Sequence, residues 1–408
     1  MSAAAERYVR LVLELGKRDP DYVDAYYGPP EWRQEAEARA RPIGEIRADA
    51  VALAATVRAL PAPDERERER ARFLGRQIES VAARAAVVGG SKMSFDEESR
   101  ALYDAAAPVH GEEHFRALKD RLETELPGPD PLFERLERFR TEFVVPKEKV
   151  DAVFRRAIDA CRQRTVAHID LPPGESFRIE YVTGKSWSGY NWYQGGFRSL
   201  IQVNTDLPIY IDRAIDLACH EGYPGHHVYN VLLERLVRER GWIEFEVYPL
   251  FSPQSLIAEG SANFGIEVAF PGEERSRFES EALYPLAGLD PSHAEKYERV
   301  RTLADRLSYA GNEAARRYLN GEIDAKAAAA WLQEYGLMAP ARAEQRVRFI
   351  EQYRSYVINY NLGKDLVRDW IVSRGGTAEN PDRRWREFEE LLTHPTPPSA
   401  LAAAAAPR

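Results

Sequence analysis

From residue 5 to residue 167 nearly every segment repeats its apolar residues at helical spacing. Only the stretch from 172 to 204 changes to the period of a strand. That contrast limits the fold more than any other feature. Residues 6–17 place Tyr8, Leu11, Val12 and Leu15 on one face, and 49–60, 65–88 and 147–166 read the same way. Tyr27-Gly28-Pro29-Pro30 and Pro127-Gly128-Pro129-Asp130 mark loops. ERERERARFLGRQIE reads as a solvated helix face with intrahelical ion pairs. Residues 177–181 alternate as a half-buried strand does, GKSWSGYNWYQGG reads as a loop, and 197–204 read as a second strand. Helices resume near Tyr210 and run to about 391. Gly241 suits a position just past a helix end, and Ser252-Pro253 suits an N-cap followed by proline at the first helical position. The expectation is a mainly α fold with a small central antiparallel or mixed β-sheet. One domain spans 1–394, with a helical half to 170 and a second half over 171–394, and 395–408 form a disordered tail.

With 408 residues, 44% of them hydrophobic, the chain can bury a large core. A net charge of −9 disfavours nucleic acid and anionic membrane as main partners. Cys161 and Cys219 make no disulfide framework, and no apolar run is long enough to span a bilayer. MSAAAERYVRLVLELGKRD carries Glu6, Arg7 and Arg10 within its apolar part, as an amphipathic helix does and a signal peptide does not. The expected protein is soluble and cytoplasmic, and its oligomeric state is open.

The chemistry concentrates in ACHEGYPGHHVYN, residues 218–230. It opens with His-Glu, like the HExxH zinc helix, but position 224 is proline and the next histidines are His226 and His227. In an unbroken helix six residues turn about 600°, so His226 would lie about 240° round the axis and about 9 Å along it. His227 would face the right way but sit about 10.5 Å along the axis. Pro224 removes a backbone N–H and clashes with the preceding turn, while Gly225 admits unusual dihedrals. The pair is expected to bulge the helix by about two residues and bring a histidine back beside His220.

A catalytic zinc needs three protein ligands. The third is expected on a following helix, at Glu259 in SPQSLIAEGSANFGIEVAF. Ala258, Gly260, Ser261, Ala262 and Gly265 around it allow another helix to come close. Asn263, four residues on, is expected to accept the N–H of a liganding histidine. His110 and His114 have chelating spacing, but no third ligand suggests itself, and Cys219 reads as a buried structural thiol.

HEGYPGHH resembles the signature of the bacterial family catalogued as domain of unknown function 885, His-Glu-x-x-Pro-Gly-His. Val203-Asn204-Thr205 upstream, Glu259-Gly260, Arg348-Phe349 and Tyr360-Asn361-Leu362-Gly363 extend the likeness over about 190–370, with a weaker echo in DPDYVDAYYGP. Two departures stand out: Ser261 replaces an aromatic, and Glu267 lies one residue beyond the family's later glutamate. The resemblance implies a zincin-like helical metallopeptidase of the gluzincin type. It selects His226 as the ligand, leaves His227 as a supporting or substrate-contacting residue, and suggests Tyr360 as oxyanion donor.

The expected scheme is one Zn²⁺ held by His220, His226 and Glu259, with Glu221 as general base and then acid. The substrate is expected to be a short peptide laid along an exposed edge of strand 197–204. Loop 183–196 would cover the cleft, with Trp187, Tyr190, Trp192 and Tyr193 as walls and Asn204 beside them. Arg348, Arg301 and Arg306 are candidates for a substrate carboxylate. Two alternatives accompany this reading. One is a zinc-dependent hydrolase of a small metabolite, which edge-strand donors and a carboxylate-binding arginine would disfavour. The other is a non-catalytic metal-stabilised binding protein, which a closed site with His227 on the ion would favour.

Overall fold

A computed structural model describes every residue except Ala40, Ser186 and 406–408. The N-terminal helices form because each buries one apolar stripe. Ser2–Gly16 buries Tyr8, Leu11, Val12 and Leu15; Ile43–Ala59, Glu65–Val88 and Val150–Val166 follow the same rule. The charge run behaves as expected where Arg68, Arg72 and Arg76 pair with Glu65 and Glu79 on the surface. Arg70 departs from it: it is buried, forks onto Glu244 at 2.6 and 2.8 Å, and covers Trp242. A glutamate 174 residues away made that pairing illegible in the run itself.

The fold is mainly helical with two small sheets. In the larger, β2 (Ser176–Val182) runs parallel to β4 (Arg198–Asn204), and β3 (Gly189–Gly195) pairs antiparallel on the other side of β4. The sheet is therefore mixed. Two expectations change. The Gly- and aromatic-rich stretch contributes strand β3 rather than only a loop, and β4 is the central strand, so the edges belong to β2 and β3. The smaller sheet, β1 (Val23–Tyr26) against β5 (Val247–Pro249), was not anticipated.

Ser252 caps helix Pro253–Ala269 by accepting from Ser255 N–H, and Pro253 opens it. Gly241 ends helix His226–Arg240 with φ +65°, the left-handed conformation that glycine adopts without a Cβ penalty. One hydrophobic cluster runs from Ala4 to Leu401. The tail departs from expectation as far as Ala405: Pro398–Ala405 is helical and Leu401 is fully buried, while 406–408 lie outside the described residues. Its alanine run is a good helix former, and Leu401, the buried Pro397 and Pro398, and the Ser399 N–H bond to Asp104 dock it.

Candidate metal centre

Helix Asp212–Leu217 widens into a π turn over Ala218–Gly222, and the Tyr223 N–H reaches back five residues to the Ala218 carbonyl. Pro224 cannot continue the ladder. Gly225 N–H reaches back six residues to Cys219 O, and any Cβ on Gly225 would collide with the His220 and Cys219 carbonyls. A new helix then starts at His226. The chain therefore breaks and restarts, where a bulge within one continuous helix was expected. The consequence for the histidines is the one anticipated: His220 Nε2 and His226 Nε2 lie 3.2 Å apart.

Glu259 completes the triangle. Its Oε2 lies 3.5 Å from His220 Nε2 and 3.8 Å from His226 Nε2, and is buried with no hydrogen-bond partner among the described residues. Ligands about 2.0–2.1 Å from a tetrahedral zinc stand about 3.3 Å from one another. The spacing and the orphaned carboxylate oxygen both fit a metal ion bound by two imidazoles and one carboxylate. Glu221 also offers an oxygen within 4.8 Å of both imidazoles. Of the two carboxylates Glu259 suits the ligand role better, because its other oxygen is fixed by the Tyr356 hydroxyl at 2.8 Å. Glu221 packs instead against β3: a Cβ on Gly189 would stand 3.1 Å from Glu221 Oε1 and 2.6 Å from Leu217. The Asn191 amide holds the Glu221 backbone carbonyl at 2.7 Å.

The electrostatics separate these groups. Burial pushes Glu221 up to about 7, against the pull of His220 and with a push from Glu259. Burial also takes His226 down to about 4, so its ring is neutral, the form a metal requires. Burial opposes charge on His220 and on Glu259 as well, but their mutual attraction, with the charge of Glu221 acting on His220 and that of His226 on Glu259, outweighs it, raising His220 and lowering Glu259.

Small residues on Pro253–Ala269 do permit a close helix crossing. A Cβ on Gly260 would strike the Gly363 backbone, and one on Gly363 would stand 2.7 Å from the Leu256 carbonyl. The partner is helix Ile358–Ser373, and the crossing brings Tyr356 and Tyr360 to the metal side, ring centroids 5.6 Å apart. Tyr360 lines the cleft, and burial, then the charge of Glu259, keeps its hydroxyl protonated. Asn263 differs from expectation. Its amide donates to the Glu259 and Tyr360 carbonyls and so joins the two helices, with no bond to a histidine.

His227 faces away from the cleft. It is fully buried, with Nδ1 2.8 Å from Ser199 Oγ and Nε2 3.0 Å from Glu175 Oε2. It ties the restarted helix to the sheet and touches neither ion site nor cleft.

These elements enclose a cleft of about 1880 Å³. Trp187, Tyr190 and Trp192 line it, whereas Tyr193 is buried behind it and bonded to Glu234. The Tyr190 hydroxyl donates to Asp24 on β1, whose carboxyl burial pushes up to about 6. Asn204 lines the cleft, but its amide group is committed to the Lys185 and Trp187 carbonyls and its oxygen to Asp206 N–H. It shapes the wall and has no free donor for a substrate. Arg301 reaches the cleft already paired with Glu298 and Asp305 at 2.7 Å each. Arg348 is exposed and outside the cleft; on the same helix Arg342, Gln345, Arg346, Phe349 and Tyr353 line it. Their spacing of three and four was the signal that could have found them. Tyr356, four residues before Tyr360, was missed although the same spacing marks it. His110 and His114 stack with centroids 4.3 Å apart in a remote arm of the cleft, with no third metal-ligating group among the described residues.

No family model matches the chain, and no curated protein does. Among solved structures, it resembles a candidate lipoprotein from Colwellia psychrerythraea with a TM-score of 0.57 at 12% identity, covering 89% of this chain and 69% of that one. A candidate lipoprotein of unknown function from Shewanella oneidensis aligns over 88% of this chain and 76% of that one, at 12% identity and a TM-score of 0.46. The first likeness concerns the fold alone. No helix among the described residues is long and apolar enough to cross a membrane.

Proposed function

We propose that the chain is a zinc-dependent peptidase of short peptides. The observation that carries this reading is the triangle of His220 Nε2, His226 Nε2 and Glu259 Oε2, with the Glu221 carboxylate beside it in a large cleft. The three side chains would hold zinc, which supplies Lewis-acid polarisation of a carbonyl and a water of lowered pKa. Glu221 takes the proton of the attacking water on its carboxylate and returns it to the leaving amine nitrogen. Its burial beside Gly189 of β3 keeps that carboxylate in place at the cleft wall. The Tyr360 hydroxyl donates to the oxygen of the tetrahedral intermediate.

Strand β3 gives the substrate a template. Asn204 N–H bonds to Ser188 O, and the antiparallel register alternates from there. The backbone groups of Tyr190 and Trp192 therefore face β4, while those of Gly189 and Asn191 face the free edge beside Glu221. An extended peptide can pair with that edge. Edge donors of this kind favour a peptide over a compact metabolite, and the separation of His227 from the cluster favours an open ion site over a closed structural one.

The test is hydrolysis of a peptide library by the zinc-loaded chain, with Glu221→Gln as control. Cleavage of short peptides by wild type, reduced at least about 1000-fold in the variant, is expected, since a general base and its activated nucleophile act as a unit. A variant as active as wild type would remove Glu221 from the mechanism, and a wild type inert towards every peptide would remove the peptidase reading.

A further inference from the structure

The cations of the cleft fall into two groups. Arg213, Arg275, Arg301, Lys364 and Arg368 each have a carboxylate within 3.3 Å. Arg342 and Arg346 have neither a carboxylate nor any hydrogen-bond acceptor among the described residues, although both line the same cavity. They stand four residues apart on helix Pro340–Tyr353 and so share one face. The Arg346 guanidinium lies over the Phe349 ring at 4.6 Å, which fixes its plane. Burial, against the pull of Tyr360 and with the push of Arg342, holds Arg346 below the usual arginine range. Arg346 and Tyr360 line the same cleft. Arg346 is half-buried, and such a cation without a counter-ion is costly until an incoming anion removes that cost; Arg342 lies further out and is exposed. Two guanidiniums on one helix face suit a planar carboxylate. Lys185 and Arg306 also lack an acid partner and, like Arg342, are exposed, but neither stands on the helix face that carries Arg346.

We propose that Arg346, with Arg342, forms the subsite for the free α-carboxylate of a short peptide, so that the chain cleaves near the carboxyl end of its substrates. This rests on the peptidase reading, and binding is tested apart from turnover. The zinc-loaded Glu221→Gln chain is equilibrated with N-acetylated tripeptides bearing a free carboxylate, and with the same tripeptides as amides. Retention on ultrafiltration is read by mass spectrometry. The acids should be retained about 10- to 100-fold better than the amides, the range of a charge-assisted hydrogen bond. Adding Arg346→Gln should erase the difference with zinc content unchanged, and adding Arg306→Gln should preserve it. Equal retention of acids and amides, or retention of neither, overturns the proposal. In a parallel incubation with wild type, amides cut as fast as acids would overturn it and leave the peptidase reading standing. Acids retained yet never cut would support the subsite and sink the peptidase reading.

Discussion

At the scale of single residues the proposed metal centre depends on Tyr356 as well as on the three candidate ligands. Its hydroxyl holds Glu259 Oε1 at 2.8 Å and leaves Oε2 turned to the imidazoles. Tyr356→Phe removes that bond without changing shape. Its zinc dissociation constant should rise about 10- to 100-fold in a chelator-competition titration, the usual cost of losing a residue that orients a ligand. An unchanged affinity would mean that packing alone sets the carboxylate. His220 and Glu259 were legible because His-Glu followed by Pro-Gly, and a glutamate among small residues, are uncommon local chemistry. The choice of Arg348 over Arg346 came from following an Arg-aromatic pair and not the helix phase. Phe349 is four residues from Gln345 and three from Arg346, so the cleft face excludes 348. Asp24 was unreadable as a site residue, since only the pairing of β1 with β5 and its bond from Tyr190 bring it there.

Among the elements, two contacts hold the site together. The first is the crossing of Pro253–Ala269 on Ile358–Ser373 at Gly260 and Gly363. Gly260→Ala puts a methyl group where the Gly363 backbone already is. The helices must separate, at a cost of about 1–3 kcal/mol as for other overpacked sites, read as a lower unfolding midpoint with weaker zinc binding. Full stability and full zinc binding would show that the crossing is looser than its geometry. The second is Glu175 at the start of β2, which accepts from Tyr223 at 2.7 Å, His227 at 3.0 Å and Arg162 at 2.7 Å. Burial raises its pKa, but those bonds outweigh it and hold the carboxyl at about 2, below its ordinary 4.5. Its contribution to stability is therefore complete above pH 4.5 and is lost as pH falls towards 2. Acid unfolding followed by circular dichroism should show wild type losing more stability than Glu175→Gln between those values, and parallel profiles would contradict the assignment. Strand β3 was hidden at this scale because GYNWYQG offers little apolar alternation. Its strand state comes from pairing with β4, a non-local contact that overrides local propensity.

Over the whole molecule, helical period was enough to read the class of fold, because most helices bury a single stripe. The tail was misread because a short alanine-rich segment carries no stripe, and only docking decides it. Leu401→Ala should cost about 2–5 kcal/mol, as for other buried leucines, and lower the thermal midpoint; a disordered tail would show no change. A broken helix and its neighbour are proposed to assemble one metal site. The most direct measurement is zinc stoichiometry by plasma mass spectrometry on wild type and Glu259→Gln after equilibration with zinc and removal of excess. About one zinc per wild-type chain is expected, as one three-ligand site requires, with its loss from a variant that remains folded by circular dichroism. A wild type that binds no zinc, or a folded variant that binds as much as wild type, would contradict the proposed site.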